Sequence, residues 1–219
     1  MSNTPTLITT NDGSHSLRVD ALNETYHSIH GALQEAMHVF LKEGFYKTEG
    51  EVNILEIGFG TGLNAFITML EAHKKGRRVN YTGIEKFPVP EDMIRTLNYG
   101  ELLGEAEWFD EIHVLNWEMA IPVSDYFTLS KLEKDIADID FSAQFDIIYF
   151  DAFAPDKQPE MWSKGVFEKM YKALLPGGFL VTYCAKGQVK RDLKEVGFEV
   201  ENVPGPPGKR EMIRAVKNA

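Results

Sequence analysis

A short apolar run, Val52–Ile57, ends in a glycine-rich turn. The glycines are Gly58, Gly60 and Gly62, and an acidic residue, Glu56, stands just before them. Glycine has no Cβ, so the backbone can turn sharply and approach a ligand closely. A dinucleotide site favours the spacing G-x-G-x-x-G, whereas this turn has G-x-G-x-G beside a carboxylate that would repel phosphate. The pattern favours a cationic, phosphate-free nucleoside such as S-adenosylmethionine, with an ordinary strand-to-helix turn as the alternative.

Acidic and aromatic residues follow the next two candidate strands. Glu85 ends the run Val79–Glu85, about 20 residues past the glycines, where a carboxylate can accept both hydroxyl groups of a ribose. Trp117 and Glu118 follow Ile112–Leu115, which is predicted to be a short third strand. They would frame an adenine by stacking and hydrogen bonding, although a tryptophan at this position suits the core equally well.

Asp151 ends a near-continuous apolar run, Phe145–Asp151, and begins the sequence Asp-Ala-Phe-Ala-Pro. At the end of a central strand, its carboxylate is predicted to face the methyl sulfonium of the cofactor. Methyl transfer to an amine needs the nitrogen lone pair in line with the S–CH₃ bond, about 3–3.5 Å away. A carboxylate can orient that amine, but it also favours the charged form, which has no free lone pair.

Strand-like and helix-like runs alternate from residue 52 onward, as in a doubly wound α/β sheet. The last two predicted strands, Phe198–Val203 and Glu211–Val216, are joined by a Pro- and Gly-rich segment too short for a crossover helix, so they should be antiparallel. A mostly parallel seven-stranded sheet with an antiparallel last strand is typical of class I S-adenosylmethionine-dependent methyltransferases. A further strand is predicted at Phe179–Cys184, and helices at 62–74, after Pro88, at Glu160–Leu174 and at Gln188–Val196.

Residues 1–50 are predicted to form an N-terminal extension that packs on one catalytic domain, residues 51–219. A helix is expected over Thr25–Leu41. Tyr26, His27 and His30 are candidates to cap the cofactor site, although a lone histidine is more often structural.

Composition narrows the classes of function. The 219 residues carry a formal net charge of −10, which argues against broad, non-specific nucleic-acid binding, although residues 186–217 hold eight Lys and Arg against five Asp and Glu. The start of the chain lacks the pattern of a signal peptide and no apolar run suits a bilayer, so a cytoplasmic location is expected. One cysteine, Cys184, excludes an internal disulfide, and the six histidines lack ligand spacing, so no metal site is predicted.

Three motifs resemble the MnmC-type tRNA methyltransferase family. They are GFGTGLNAF at 58–66, DAFAPDKQPEMW at 151–162 and KREM at 209–212. The resemblance covers nearly the whole chain and implies S-adenosyl-L-methionine-dependent N-methylation of 5-aminomethyl-(2-thio)uridine at wobble position 34 of tRNA. Many members continue into a flavin-dependent oxidoreductase domain. This sequence ends at Ala219, so a stand-alone methyltransferase without FAD is expected.

The resemblance, together with the strand-end residues, yields a set of candidate site residues. Asp151 becomes the catalytic residue that positions the amine. The predicted cofactor-binding residues are Glu56, Gly58, Gly60, Gly62, Asn64, Glu85, Lys86, Trp117, Glu118 and Asp151. The predicted substrate-binding residues are Phe153, Pro155, Lys157, Trp162, Tyr183, Lys186, Arg191, Lys209 and Arg210.

A tRNA partner would explain the basic C-terminal segment, because Lys and Arg contact phosphates while aromatic side chains stack on splayed loop bases. Two other interpretations stay open. One is a small-molecule amine methyl- or aminopropyltransferase of the same fold. The other is a non-catalytic nucleotide-binding module of an RNA-modifying complex, which the presence of Asp151 beside the glycine turn disfavours.

Overall fold

Eight strands form the central sheet in the computed structural model, which describes residues 5–218. The strands are β4 (Val52–Ile57), β5 (Val79–Glu85), β6 (Ala120–Ser124), β7 (Phe127–Glu133), β8 (Phe145–Phe150), β9 (Leu174–Thr182), β10 (Glu199–Pro204) and β11 (Glu211–Val216). Their order in the sheet is β10-β11-β9-β8-β4-β5-β7-β6. A smaller antiparallel sheet precedes them, with β1 (Thr6–Thr9), β2 (His15–Val19) and β3 (Glu24–Thr25).

Five neighbouring strands, from β9 through β8, β4 and β5 to β7, run parallel. The last strand, β11, is antiparallel to β9 and to β10, which confirms the predicted reversal. The expected count of seven strands is wrong by one, because β6 pairs antiparallel with β7 and extends that edge. The α/β, class I architecture predicted from the sequence is confirmed.

Helices cover both faces of the sheet. They are α1 (Ala32–Ala36), which continues as a π-helix over Met37–Lys42, α2 (Leu63–Lys75), α3 (Glu91–Ile94), α4 (Tyr99–Leu103), α5 (Ala106–Val114), α6 (Lys164–Ala173) and α7 (Gly187–Val196). Along β8, Ile147 and Tyr149 join the core beneath α2, while Ile148 and Phe150 join the core beneath α6 and α7. Burial on both faces is why this strand is a continuous apolar run.

The strand predicted at Ile112–Leu115 is wrong. Most of that run lies in α5, where Phe109 and Ile112 bury the face they share at helical spacing. The third parallel strand is β7, whose apolar alternation is broken by Lys131 at an inward position. Lys131 is buried there and donates from Nζ to the backbone oxygen of His113 at 2.9 Å.

The helix predicted over Thr25–Leu41 is only partly present. It begins at Ala32, because Gly31 adopts a φ of 150° and residues 24–25 pair with β2. The Asp12 carboxylate accepts the backbone N–H of Gln34 at 3.0 Å and so holds the first turn of α1. Phe40 then packs on Tyr149 of β8, with ring centroids 4.9 Å apart, and fixes this segment on the central sheet.

The predicted helix at Glu160–Leu174 is divided in the structure. A 3₁₀ turn occupies Pro159–Trp162, and α6 follows and ends at Ala173. Strand β9 starts at the next residue, earlier than the predicted Phe179. Among residues 5–218, no helix is both long enough and apolar enough to cross a membrane.

Candidate active site

The glycine turn after β4 lies directly against the end of β8. Gly58 has a φ of 89°, and a Cβ at this position would lie 2.6 Å from the backbone oxygen of Asp151. Gly60 has a φ of 49°, and its Cβ would lie 3.0 Å from the Tyr26 ring. Both positions therefore require glycine for backbone conformation and for space. The turn after β4 thus contacts two distant segments of the chain, at Tyr26 and at Asp151.

A cavity of about 580 Å³ opens at the carboxyl ends of β4, β5, β7 and β8. We call it the larger cavity. Gly58, Gly60, Glu85, residues 134–137 and Asp151 are among the residues that line it. Ligands of open α/β sheets bind at this edge, beside the change in strand order.

Glu85 ties the end of β5 to the glycine turn. Its Oε2 accepts the backbone N–H of Gly60 at 3.0 Å, and its Oε1 accepts that of Phe87 at 2.9 Å. Burial raises the pKa of this carboxyl, and the backbone hydrogen bonds oppose that rise. Each carboxylate oxygen has a second lone pair, so Glu85 keeps the capacity to accept hydroxyl groups from a ligand in the cavity.

A second cavity of about 440 Å³ adjoins the first, and we call it the smaller cavity. Residues 23–29 and Glu35 line it from the N-terminal segment, and Tyr183 and Lys209 line it from the C-terminal part of the chain. Five residues line both cavities, namely Tyr26, His27, Asp151, Ala152 and Phe153. Asp151 therefore stands at the junction of two adjoining chambers.

Asp151 is oriented by Asn64 of α2. The Nδ2 of Asn64 donates to Asp151 Oδ2 at 2.8 Å and to Glu56 Oε1 at 2.8 Å. Burial, reinforced by the charge of Glu35, raises the pKa of Asp151 to about 7, whereas the Asn64 hydrogen bond and Lys209 lower it. The result is a carboxyl group that changes charge near neutral pH.

His27 lines the same two cavities as Asp151, but its ionisation differs from that of the carboxyl. Its Nε2 lies 2.7 Å from Thr61 Oγ1, and burial lowers the pKa of the imidazole to about 4, against the opposing charge of Glu35. Near neutrality the ring is therefore uncharged and held by a hydrogen bond. Tyr26 packs edge-on against Phe153, with ring centroids 5.1 Å apart, and completes the wall shared by the two cavities.

Comparisons with known proteins identify the class of enzyme. Residues 115–218 match the family described as S-adenosyl-L-methionine-dependent methyltransferase. These matched residues belong to the S-adenosyl-L-methionine-dependent methyltransferase family, and the chain is homologous to the methyltransferase part of the MnmC proteins. S-adenosyl-L-methionine is therefore its cofactor.

Two curated relatives show the extent of this homology. The tRNA 5-methylaminomethyl-2-thiouridine biosynthesis bifunctional protein MnmC of Cupriavidus metallidurans is 35% identical over 95% of this chain and 33% of its own length. The protein of that name from Leptospira interrogans is 32% identical over 89% of this chain and 32% of its own length. The methyltransferase thus spans about one third of the curated relatives it matches. In the crystal structure of MnmC2 from Aquifex aeolicus, 24% identical, a TM-score of 0.75 over 100% of this chain and 71% of that one shows the same fold.

The larger cavity of the methyltransferase suits this cofactor. The turn at Gly58 and Gly60 keeps side chains out of the space next to the strand ends, and Glu85 offers carboxylate oxygens rather than the N–H donors that a pyrophosphate needs. Lys86 is paired with Asp135, with Nζ and Oδ2 2.5 Å apart, so its charge is already compensated at the cavity wall. The predicted cofactor-binding residues that line the cavity are Gly58, Gly60, Glu85, Lys86 and Asp151.

Three of the predicted cofactor-binding residues lie behind the cavity of the methyltransferase rather than in it. Glu56 is 0% exposed and Asn64 is 2% exposed, so neither reaches the larger cavity. Burial raises the pKa of Glu56 well above its usual range and so favours the neutral acid. Gly62 is the N-cap of α2 and faces His113. Their structural role is to brace the turn and Asp151.

Trp117 and Glu118 also lie outside the larger cavity, and the placement predicted for them is wrong. They follow helix α5 and not a parallel strand. Trp117 packs against Phe59, with ring centroids 6.0 Å apart, and Glu118 Oε1 accepts the backbone N–H of Glu133 at 2.8 Å. Residues 134–137, which follow the true third parallel strand, line the cavity instead.

The predicted substrate-binding residues of the methyltransferase divide into three groups. Phe153, Tyr183 and Lys209 line the smaller cavity. Pro155, Lys157 and Trp162 belong to the loop after β8 but line neither cavity, and Trp162 braces that loop by donating from Nε1 to the Phe153 oxygen at 2.7 Å. Lys186, Arg191 and Arg210 are exposed outside the cavities, where Lys186 pairs with Asp156.

Glu35 is the main residue that the sequence did not indicate. It lines the smaller cavity from α1, far from Asp151 in sequence, and no local motif marks it. Residues 134–137 were also missed, because Lys131 obscures the strand that precedes them. Within residues 5–218, no group of three His, Cys, Asp or Glu side chains is arranged to hold a metal ion.

Proposed function

We propose that this methyltransferase transfers a methyl group to the primary amine of 5-aminomethyl-(2-thio)uridine at wobble position 34 of tRNA, giving 5-methylaminomethyl-(2-thio)uridine. The observation that carries the proposal is the position of Asp151, a carboxylate at the junction of two adjoining cavities. The relatives named for 5-methylaminomethyl-2-thiouridine biosynthesis support this substrate.

The cofactor would lie in the larger cavity. Gly58 and Gly60 would allow it close to the backbone, Glu85 would accept its ribose hydroxyls, and residues 134–137 would border the base. When bound there, S-adenosyl-L-methionine supplies an electrophilic methyl group. The acceptor base would enter the smaller cavity and stack against Phe153 or Tyr183.

Asp151 would orient the acceptor amine. Asn64 holds Oδ2, so the remaining lone pairs of the carboxylate are available to accept an N–H from the amine. An amine held by one N–H has its lone pair set in a definite direction, and orientation of this kind is the main contribution an enzyme makes to transfer between two bound groups. Tyr26, His27 and Phe153 would exclude water from the junction.

The tRNA backbone would dock on the basic C-terminal surface. Lys186, Arg191 and Arg210 are exposed there, and Lys190 is half-buried. Lys186 and Lys190 already pair with Asp156 and Glu211. They would exchange those carboxylates for phosphates, and the net charge of −10 would repel the rest of the tRNA. Weak, strongly salt-sensitive binding follows from both features.

Incubation with S-adenosyl-L-methionine carrying a labelled methyl group tests the proposal. The acceptor is tRNA that carries 5-aminomethyl-(2-thio)uridine, and the product is digested to nucleosides. We expect label in 5-methylaminomethyl-(2-thio)uridine, and a loss of about 10²–10⁴-fold in the Asp151→Asn variant. Asp110→Asn, an exposed change on α5, is the matched control. Label that enters polyamines or other small amines and leaves the tRNA unlabelled would refute the tRNA proposal.

A further inference from the structure

A second carboxylate, Glu35, faces the smaller cavity together with Asp151. Both of its oxygens are held. Lys209 donates from Nζ to Glu35 Oε1 at 2.7 Å, and Ser28 donates its backbone N–H to Oε2 at 3.0 Å. The Glu35 side chain is 12% exposed, so solvent screens its charge poorly. It is therefore a fixed negative charge in the wall of the cavity.

Lys209 is the counter-ion of Glu35 and is itself held in place. Its Nζ lies 3.9 Å from the centre of the Tyr183 ring, an arrangement in which the ring face attracts the cation. The Tyr183 hydroxyl donates to the backbone oxygen of Ala152, next to Asp151, at 2.8 Å. Glu35, Lys209 and Tyr183 thus form a connected group in the lining of the cavity that also contains Asp151.

The charged and titratable groups that face this cavity come from two parts of the chain. The N-terminal segment contributes Arg18, Glu24, Tyr26, His27 and Glu35. The strand ends and the loop before β11 contribute Asp151, Tyr183 and Lys209, with Cys184 buried beside Tyr183. Glu35 and Lys209 act on the pKa of Asp151 with opposite signs, since Glu35 raises it and Lys209 lowers it.

A primary alkylamine must lose a proton before it can attack a methyl group. With ordinary pKa values of about 10 for the amine and about 4 for an aspartate, the proton stays on nitrogen by about six pKa units. The pKa of Asp151, near 7, reduces that gap to about three units. Desolvation in the cavity lowers the pKa of the amine, whereas the negative charges of Glu35 and Asp151 raise it. Asp151 is thus suited to take the proton.

We propose that Glu35 is a positioning residue for methyl transfer, whose charge, fixed by Lys209 and Ser28, adds to burial in making Asp151 the acceptor of the proton that the substrate ammonium must lose. The inference rests on the proposed function. The N–H bond breaks and the proton joins Asp151. The nitrogen lone pair then forms the N–CH₃ bond, and the electron pair of the S–CH₃ bond stays on sulfur. The product leaves with its new secondary amine protonated, and Asp151 returns its own proton to water.

Opposite effects of two substitutions test this inference. The pH dependence of kcat/KM reports the ionisation of the free enzyme. Glu35→Gln is expected to move the acid limb to lower pH by about one unit, and Lys209→Met to move it to higher pH by a similar amount. Glu35→Asp retains the charge and should restore most of the wild-type profile. Glu107→Gln, an exposed change on α5, should coincide with wild type.

A purely structural role would give a different result. Loss of the Glu35–Lys209 contact would then impair both variants in the same direction, and a phosphate-binding role for Lys209 would raise KM without moving the acid limb. Either outcome, or coincident profiles, would overturn the inference.

Titration of the Asp151 carboxyl by ¹³C NMR in the free enzyme provides a readout that needs no substrate, with the midpoint lowered in Glu35→Gln and raised in Lys209→Met. A wild-type enzyme inactive on tRNA would refute the proposed function, and the titration would still show whether the charge of Glu35 raises the pKa of Asp151.

Discussion

Asn64 and Asp151 are joined by a hydrogen bond of 2.8 Å from the side-chain amide to the carboxylate. The same nitrogen donates to Glu56, so a single amide on α2 links the ends of two neighbouring strands, β4 and β8. Asn64 is the second residue of α2, and Gly62 caps that helix. The orientation of the Asp151 carboxyl therefore depends on where the glycine turn starts the helix.

Substitution of Asn64 by alanine should impair catalysis more than cofactor binding. Asp151 would lose the donor that fixes one oxygen and would stay half-buried, so its pKa should rise above 7. We expect kcat at neutral pH to fall by about 10–100-fold, with little change in the Kd for S-adenosylhomocysteine measured by calorimetry. Asn202→Ala, on the exposed part of β10, is the control. Equal loss of binding and turnover would show that Asn64 serves the cofactor instead.

Stability should depend on pH through Asp151. The pKa of this carboxyl rises from 3.8 to about 7 on folding, so the folded protein binds more protons than the unfolded chain between these values. Its contribution to stability is therefore fully present below about pH 4 and is lost as the pH rises to about 7.

The Asp151→Asn variant removes this dependence. It should unfold in urea with a free energy higher than that of wild type by about 1–3 kcal/mol at pH 8, and with a smaller difference at pH 5. Urea unfolding at both values gives the comparison, with Asp110→Asn as control. Parallel pH dependence in wild type and Asp151→Asn would contradict the raised pKa.

Glu85→Ala should weaken cofactor binding. The change removes the proposed ribose acceptor and also releases the backbone N–H of Gly60. Loss of hydrogen bonds to a charged group costs about 1.5–3 kcal/mol, so the Kd for S-adenosyl-L-methionine should rise by roughly 10–100-fold. Glu85→Gln keeps one acceptor oxygen and should lose less. An unchanged Kd in Glu85→Ala would remove this residue from the cofactor site.

Gly58→Ala should destabilise the fold and the site together. The added Cβ would lie 2.6 Å from the Asp151 oxygen, at a residue with a φ of 89°. We expect a loss of about 2–4 kcal/mol in the free energy of unfolding, because steric overlap adds to backbone strain. Gly165→Ala, in helix α6 and without any atom within 4 Å of the added Cβ, should instead be neutral or gain up to about 1 kcal/mol. Similar losses in both variants would argue against the close approach at Gly58.

The sequence predicted residues that line the larger cavity better than residues that line the smaller one. Glycine spacing and an acidic strand end are local signals, so the residue types and their spacing were enough to locate Gly58, Gly60 and Glu85. The third parallel strand was missed because its inward Lys131 breaks the apolar alternation, and Trp117 was consequently placed at a strand end. Lys131 can be buried because it donates to a backbone oxygen on α5, and no sequence pattern indicates such a contact.

Glu35 could not be predicted for a different reason. Its role depends on a contact with Lys209, and the two residues are separated by 174 positions. No periodicity or motif links such distant positions, because only the folded sheet brings the N-terminal segment and the loop before β11 together. The same residue types occur on many exposed helices, where they are simply solvated.

The contact between Glu35 and Lys209 has a consequence for the order in which the two cavities form during folding. Contacts between sequence-distant segments form late, since a long loop must close before they are made. The strands that surround the larger cavity lie closer together along the chain. A refolding chain should therefore gain the capacity to hold the cofactor before it can receive the proposed acceptor base. Refolding followed in parallel by S-adenosylhomocysteine binding and by a donor–acceptor fluorophore pair at the exposed residues Gln34 and Arg210 would show binding first. Simultaneous recovery of both signals would contradict it.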